Sequence, residues 1–395
     1  MTHTLETKNF LFFLLSYFFV LFNYPVVRAS SITHFFEVYG AKSSPQAWVL
    51  AIALLITSLG ISNFVQSRLG FKKTFFVLTI VSLFISISSF LSSKLGIQVG
   101  SFVQFAWKEV YIVLHVHLLL AYANTWLRRE DFLKWIGPIG AVGSIGGILG
   151  GLLTSLLASH FDLATIFWTG QLFVFIPALF VLPLESVIVV QAKKIESPLR
   201  SLDTTSIKLY VGLVAGIIFL SQVVINIADF QFSLIFEKMI EDSKSRTIYL
   251  GHIYTATNLL TLFFQVALVP LILRRIDLKW IHILVPVSYL ICLLIGLNIG
   301  VLLSSALFYV YLKAGDYSFF SSSKELLYQP MKPLQKYGAK YFTDMLVYRS
   351  SKAVIAGVLI YLQDPEILFW IMFVALLTWM IIVKFIFSLH RKIFS

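Results

Sequence analysis

Five basic and four acidic residues stand inside otherwise apolar runs of this sequence, and charge in that setting is the chemistry to explain. The basic set is Arg28, Lys108, Lys313, Arg349 and Lys352, and the acidic set is Glu109, Asp229, Asp316 and Asp344. A charge in hydrocarbon costs at least about 2.5–3.5 kcal/mol, so such groups face a partner or a water-filled path. Arg349 and Lys352 are three positions apart, which puts two cations on one helical face. They repel there unless an anion or an acid lies between them. The pair is expected to hold an anionic solute, with structural pairing to Asp344 or Asp229 as the alternative. Lys313 and Asp316 have the same spacing and are expected to pair with each other. Lys108 and Glu109 diverge by about 100° around a helix. One of them is expected to face a cavity while the other finds an interhelical partner. Arg28, Lys108, Arg349 and Lys352 are therefore the expected substrate-binding set. Glu109, Asp229 and Asp344 are expected to pair with these cations or to carry a coupling proton. Arg28, Glu109, Asp229, Arg349 and Lys352 are expected to converge on one central cavity.

The elements that must position these groups follow from composition. Hydrophobic residues make up 58% of the 395 and charged residues 13%, against about 45–50% and about 25% in soluble domains. Repeated apolar runs of about twenty residues match a bilayer core of roughly 30 Å. The fold class is thus an all-α integral membrane protein with about twelve spans. The first six are Phe10–Val27, Gln46–Val65, Thr74–Leu91, Val99–Trp126, Pro138–Ala158 and Thr165–Pro183. The second six are Ile207–Phe236, Tyr249–Leu273, Trp280–Gly296, Ile299–Tyr317, Phe342–Leu362 and Ile367–Phe387. Residues 1–190 form one six-helix half, 191–206 a polar linker and 207–395 the other half, with a longer polar connection from Ser321 to Tyr341. Arg28 would then lie near the outer end of the first span.

Charge placement supports that count. With both termini inside, 21 of the 31 Lys and Arg residues fall on the inner side and 5 on the outer, the other 5 lying within spans. This asymmetry is the usual orientation signal, and adding or removing one helix would scramble it. The net charge of +12 is therefore assigned to orientation in the membrane, not to nucleic acid. Lys8, the run Phe10–Phe22 and Val27-Arg28-Ala29 also have the layout of a signal peptide. The parity of the helices and the likeness of the halves both require this segment as a retained first helix.

Other motifs have plain readings. Gly143, Gly147 and Gly151, with Gly146 and Gly150 beside them, suit close helix packing; no Gly-Lys-Ser/Thr follows to make a phosphate loop. His115 and His117 lack a matching array of metal ligands. The single cysteine, Cys292, excludes a disulfide framework. No catalytic constellation stands out, so the chain is read as no enzyme. Paired six-helix halves frame a midplane site in many secondary transporters.

Several stretches resemble one family, the ATP/ADP translocases of plastids and intracellular bacteria. Phe22-Asn23-Tyr24-Pro25-Val26-Val27-Arg28 is similar to their first helix. Trp107-Lys108-Glu109-Val110 through Tyr122-Ala123-Asn124, then Arg128 and the glycine-rich helix, are similar to the fourth and fifth. Asn226-Ile227-Ala228-Asp229-Phe230-Gln231-Phe232 resembles the seventh. The most specific block is Tyr317-Ser318-Phe319-Phe320, then Lys324-Glu325-Leu326-Leu327-Tyr328-Gln329-Pro330, followed by Lys336, Lys340, Asp344, Arg349 and Lys352. The turn Arg68-Leu69-Gly70-Phe71-Lys72-Lys73 resembles the loop signature of the major facilitator superfamily. The resemblance implies a major-facilitator-like transporter in a bacterial inner membrane, with both termini cytoplasmic and no cofactor, metal or hydrolysis. It implies a small anionic solute as partner, with ATP or ADP the leading candidate, and contact with the lipid bilayer but not with nucleic acid. Glu109, Asp229 and Lys352 match the family's charged helix residues. Where the family has Asp-Thr-Lys after the arginine, this chain has Ala29-Ser30-Ser31, so a lysine expected to meet phosphate has no counterpart. The alternatives are a proton-coupled transporter of a non-nucleotide solute and a non-transporting scaffold of the same fold.

Overall fold

A computed structural model describes residues 2–127, 129–185, 202, 204–295 and 301–394. Among them the chain forms twelve helical rods and no strand. α1 is Thr2–Tyr39. The continuous helix Ser44–Lys94 is broken at Gly70, whose φ of 74° and ψ of 172° belong to a region essentially reserved for glycine. That break divides it into α2 (44–69) and α3 (71–94), so the Arg-x-Gly-x-Lys-Lys turn has its glycine where the backbone requires one. Next come α4 (Val99–Trp126), α5 (Arg129–His160) and α6 (Leu163–Val181). The later rods are α7 (Thr205–Met239), α8 (Ser243–Arg275) and α9 (Leu278–Ile295). They are followed by α10 (301–327), α11 (333–361) and α12 (Pro365–Phe394).

Three expectations change. First, α1 runs twelve residues past Val27, so Arg28 is not near a helix end: it lies eleven residues, about 16 Å, before Tyr39. Second, the expected polar connection from Ser321 to Tyr341 is largely helical. α10 continues through Leu327 and α11 begins at Pro333, leaving only 328–332 as a turn. Proline at the first position of a helix costs no backbone bond, and that is where α11 has it. Third, Lys324 consequently sits within a helix. Arg128, the junction 296–300 and all of the expected linker 191–206 except 202 and 204–206 lie outside the described residues.

The chain divides into two compact units. Unit 1 holds residues 1–193 with 237–262, and unit 2 holds 194–236 with 263–395. In unit 1, α1 packs along α4, α5 and α6, and the α2–α3 pair packs on α4. Its core is aromatic: Phe13, Tyr17, Phe71, Phe75, Tyr111 and Tyr122 are all buried. The Phe71 and Tyr122 rings stack at 4.5 Å, and Asn9 Nδ2 donates to the Tyr122 hydroxyl at 2.9 Å. The glycines of α5 face two ways. A Cβ on Gly146 or Gly150 would meet the α1 backbone, and one on Gly151 would meet Thr255 and Gly251 of α8. Small residues therefore set the spacing of three helices, as the sequence predicts. α6 starts on Asp162, whose carboxylate accepts from the Thr165 amide at 2.9 Å. The Thr165 hydrogen bonds hold that carboxyl below the usual carboxylate range.

In unit 2, α9 packs on α12 and α10. Trp379 of α12 is fully buried between Phe320 of α10, 5.0 Å away, and Tyr289 of α9, 6.1 Å away. Three of its rods carry a π-helical turn: Phe264–Leu268 in α8, Asp316–Phe320 in α10 and Tyr341–Val347 in α11. Such turns concentrate at functional positions because each inserts one residue into the helical register. Here two of the three contain a carboxylate, Asp316 and Asp344.

Candidate functional site

The charged helix residues are shared between the two units. In unit 1, Asn23 of α1 is tied to α4. The Tyr111 hydroxyl of α4 donates to Asn23 Oδ1 at 2.8 Å, and the Tyr111 and Tyr24 rings lie 6.3 Å apart. One turn further along α1, the Arg28 guanidinium lies over two rings, 5.6 Å from Tyr24 and 4.9 Å from Tyr254 of α8. Contacts of this kind contribute about 0.5–2 kcal/mol each, more as water is excluded. Arginine suits the place because its planar guanidinium stacks on a ring and can still offer in-plane donors to an anion.

Lys108 is almost fully buried and does not separate from Glu109 as their angular spacing suggests. Its Nζ bonds Glu109 Oε1 at 2.8 Å and lies 3.9 Å from the Phe105 ring centre. A lysine stem is long enough to fold back along its own helix, so the 100° divergence at Cβ does not keep the charges apart. His115 is held by Thr79, 3.1 Å from Nε2, and by the Tyr111 carbonyl, 2.8 Å from Nδ1.

In unit 2 the pairing differs from the sequence expectation. Lys313 takes Asp229 of α7 at 3.3 Å instead of its i,i+3 neighbour Asp316. Lys324 takes Asp344 of α11 at 2.8 Å, and Lys340 takes Glu325 at 2.5 Å. The two acids considered as partners for Arg349 and Lys352 are thus both bonded to α10 lysines. Asp316 is buried, and among the described residues its carboxylate accepts one long hydrogen bond, from the Tyr348 hydroxyl to Oδ2 at 3.5 Å. Arg349 is half-buried, with Nη1 fully enclosed and without a hydrogen-bond partner among the described residues. Lys352 follows it by one turn on the same helix.

Of the expected site residues, Arg28, Lys108 and Glu109 belong to unit 1, and Asp229, Asp344, Arg349 and Lys352 to unit 2. Sequence reasoning passed over Lys324 because it read the stretch from Ser321 onward as a loop. The signal was available in Lys332-Pro333, a helix start that shortens the connection and brings residues 324 and 344 side by side.

No family model matches the chain, and no curated protein matches it in sequence. Solved structures do match in fold. The nucleoside transporter NupG superposes with a TM-score of 0.66 at 15% identity, covering 96% of this chain and 98% of its own. A bacterial metal transporter gives 0.64 at 15% identity, over 98% of each chain. A D-xylose-proton symporter gives 0.66 at 12% identity, over 95% of this chain and 96% of its own. Chains of different specificity and almost no shared sequence thus align with this one along nearly its whole length. The chain has a major-facilitator-like fold, an all-α integral membrane architecture of about twelve helices.

Proposed function

We propose that this chain is a secondary transporter of an anionic solute, working by alternating access, with a nucleotide of the ATP or ADP type as the leading substrate. The observation that carries the anion is Arg349. A guanidinium nitrogen enclosed in the protein without an acceptor is costly, and a bound phosphate or carboxylate would supply one. Lys352, one turn away, adds a second positive charge to the same face. The transporter class is supported by the fold, since the similar structures include transporters for a nucleoside, a metal and a sugar with a proton. The nucleotide is supported by the block from Tyr317 to Lys352 and by the Arg28 guanidinium on its two tyrosine rings. Glu109, Asp229 and Asp344 act in this reading as the counter-charges of Lys108, Lys313 and Lys324. The charge asymmetry supports a bacterial inner-membrane orientation with both termini cytoplasmic. A C-terminal reporter should accordingly be active only on the cytoplasmic side; activity on the other face would refute that orientation.

A second reading, proton-coupled transport of a non-nucleotide solute, is favoured by Asp316. That carboxylate is buried beside a lysine bonded to another acid, and the helix-one lysine of the nucleotide exchangers has no counterpart here.

The test is uptake by the purified protein in liposomes, loaded in turn with ATP, ADP, inorganic phosphate, a neutral nucleoside and xylose, with and without a pH gradient. Phosphorylated solutes are expected to move. Arg349→Gln and Lys352→Gln are each expected to weaken their binding about tenfold or more while the melting temperature in detergent holds. Uptake of only the neutral solutes, or unchanged affinity in both variants, would overturn the anion. Uptake that needs the pH gradient and ignores nucleotides would establish the second reading.

A further inference from the structure

A groove of about 500 Å³ opens in unit 2 between the end of α7 and the first turns of α12. Leu234, Ile235, Phe369 and Trp370 wall it, and Gln231 and Glu366 are its polar points. A second hollow of about 290 Å³ shares Gln231, Ile235 and Phe369 with it and extends toward Cys292 on α9. None of the charged residues of the candidate site lines either one. Gln231 fixes the junction by donating to the Pro365 carbonyl at 3.1 Å.

The depth of this groove in the membrane follows from its sequence. Gln363, Asp364 and Glu366 precede an apolar run that starts at Ile367, so the first turn of α12 lies where water gives way to hydrocarbon. Tyr361, 91% exposed, and Trp370, 54% exposed, flank that turn, and exposed Tyr and Trp gather at headgroup level. The mouth of the groove therefore meets headgroups, and its apolar walls meet acyl chains.

The charge at the mouth is specific. Asp364 is used by the helix start, accepting from the amides of Glu366 and Ile367 at 2.9 and 3.0 Å. The Glu366 side chain is exposed and makes no hydrogen bond or ion pair among the described residues. It leaves one uncommitted carboxylate above an apolar channel. A cationic headgroup on a hydrocarbon tail satisfies both features, whereas a purely anionic lipid would set like charges together.

We infer that this groove binds an amine-headed phospholipid, its acyl chain along Leu234, Ile235 and Phe369 and its ammonium on Glu366. The inference is independent of which solute the protein carries.

The experiment is native mass spectrometry of the full chain, delipidated in detergent and titrated with phosphatidylethanolamine or phosphatidylglycerol of identical acyl chains. The wild type is expected to retain the ethanolamine lipid about tenfold better. E366Q is expected to lose that preference, and E366K to reverse it toward the glycerol lipid. A reversal is a gain of binding that misfolding cannot imitate. Ile235→Trp, which fills the channel, is expected to reduce retention of both lipids. Equal retention of the two lipids by wild type, or a preference unchanged in both E366Q and E366K, would overturn the inference. So would a dimer that excludes lipid, since a second copy would then cover the groove.

Discussion

Gly150→Leu is expected to remove nearly all folded protein from detergent extracts. A Cβ at this position would lie 2.0 Å from the Phe22 carbonyl oxygen and 2.9 Å from its carbon. Both are backbone atoms of α1, so no rotamer change can relieve the clash; α1 and α5 would have to separate. Overpacking usually costs 1–3 kcal/mol where side chains can adjust, and here the cost should be at least about 3 kcal/mol, a large share of a typical stability. Gly212→Leu on α7 is the control, because a Cβ there meets nothing within 4 Å, and it should melt close to wild type. Equal melting of the two variants would show that α1 and α5 do not approach as described. The expectation rests on packing alone and holds whatever the protein transports.

Lys313→Met is expected to be the most damaging loss of a single charge. It removes the cation 3.3 Å from Asp229, and both side chains are about seven-eighths buried. Removing one partner of a buried pair costs about 3–5 kcal/mol, because the remaining charge is left in a poor solvent. Neutralising both partners should be far milder, so Lys313→Met with Asp229→Asn should recover most of the lost stability. The same cycle run with Asp316→Asn should show much weaker coupling, since Lys313 is bonded to Asp229. Melting of the three single variants and the two doubles decides it. Strong coupling to Asp316 with none to Asp229 would restore the i,i+3 pairing that the bare sequence suggests.

That contrast shows how far local spacing reaches. An i,i+3 lysine and aspartate can pair, but the geometry is permissive, and an aspartate on a neighbouring helix competes for the same ammonium. Lys313 chose the neighbour, and so did Lys324, whose partner Asp344 is twenty residues away. The same permissiveness let Lys108 reach Glu109 against their angular divergence. Rigid groups were more legible. Gly70 had to sit at a turn because of its backbone angles, and the glycine ladder of α5 had to face other helices because nothing else fills so little space.

By itself the sequence determined that this chain is a multi-pass helical membrane protein, where most of its helices run, and which few charged residues must be explained. These follow from the cost of apolar surface in water and of charge in lipid, which any stretch of chain feels without reference to its neighbours. Boundaries failed where polar residues lie inside helices, at the end of α1 and between α10 and α11, because hydropathy records the solvent a segment prefers and not where its backbone bonds stop. Only the tertiary structure decided which cation meets which acid. It also showed that Arg28 is deep in its helix against two tyrosine rings and that one guanidinium nitrogen of Arg349 is enclosed without an acceptor among the described residues. Those outcomes depend on distances of a few ångströms between helices far apart in the chain, to which no local pattern of residues is sensitive.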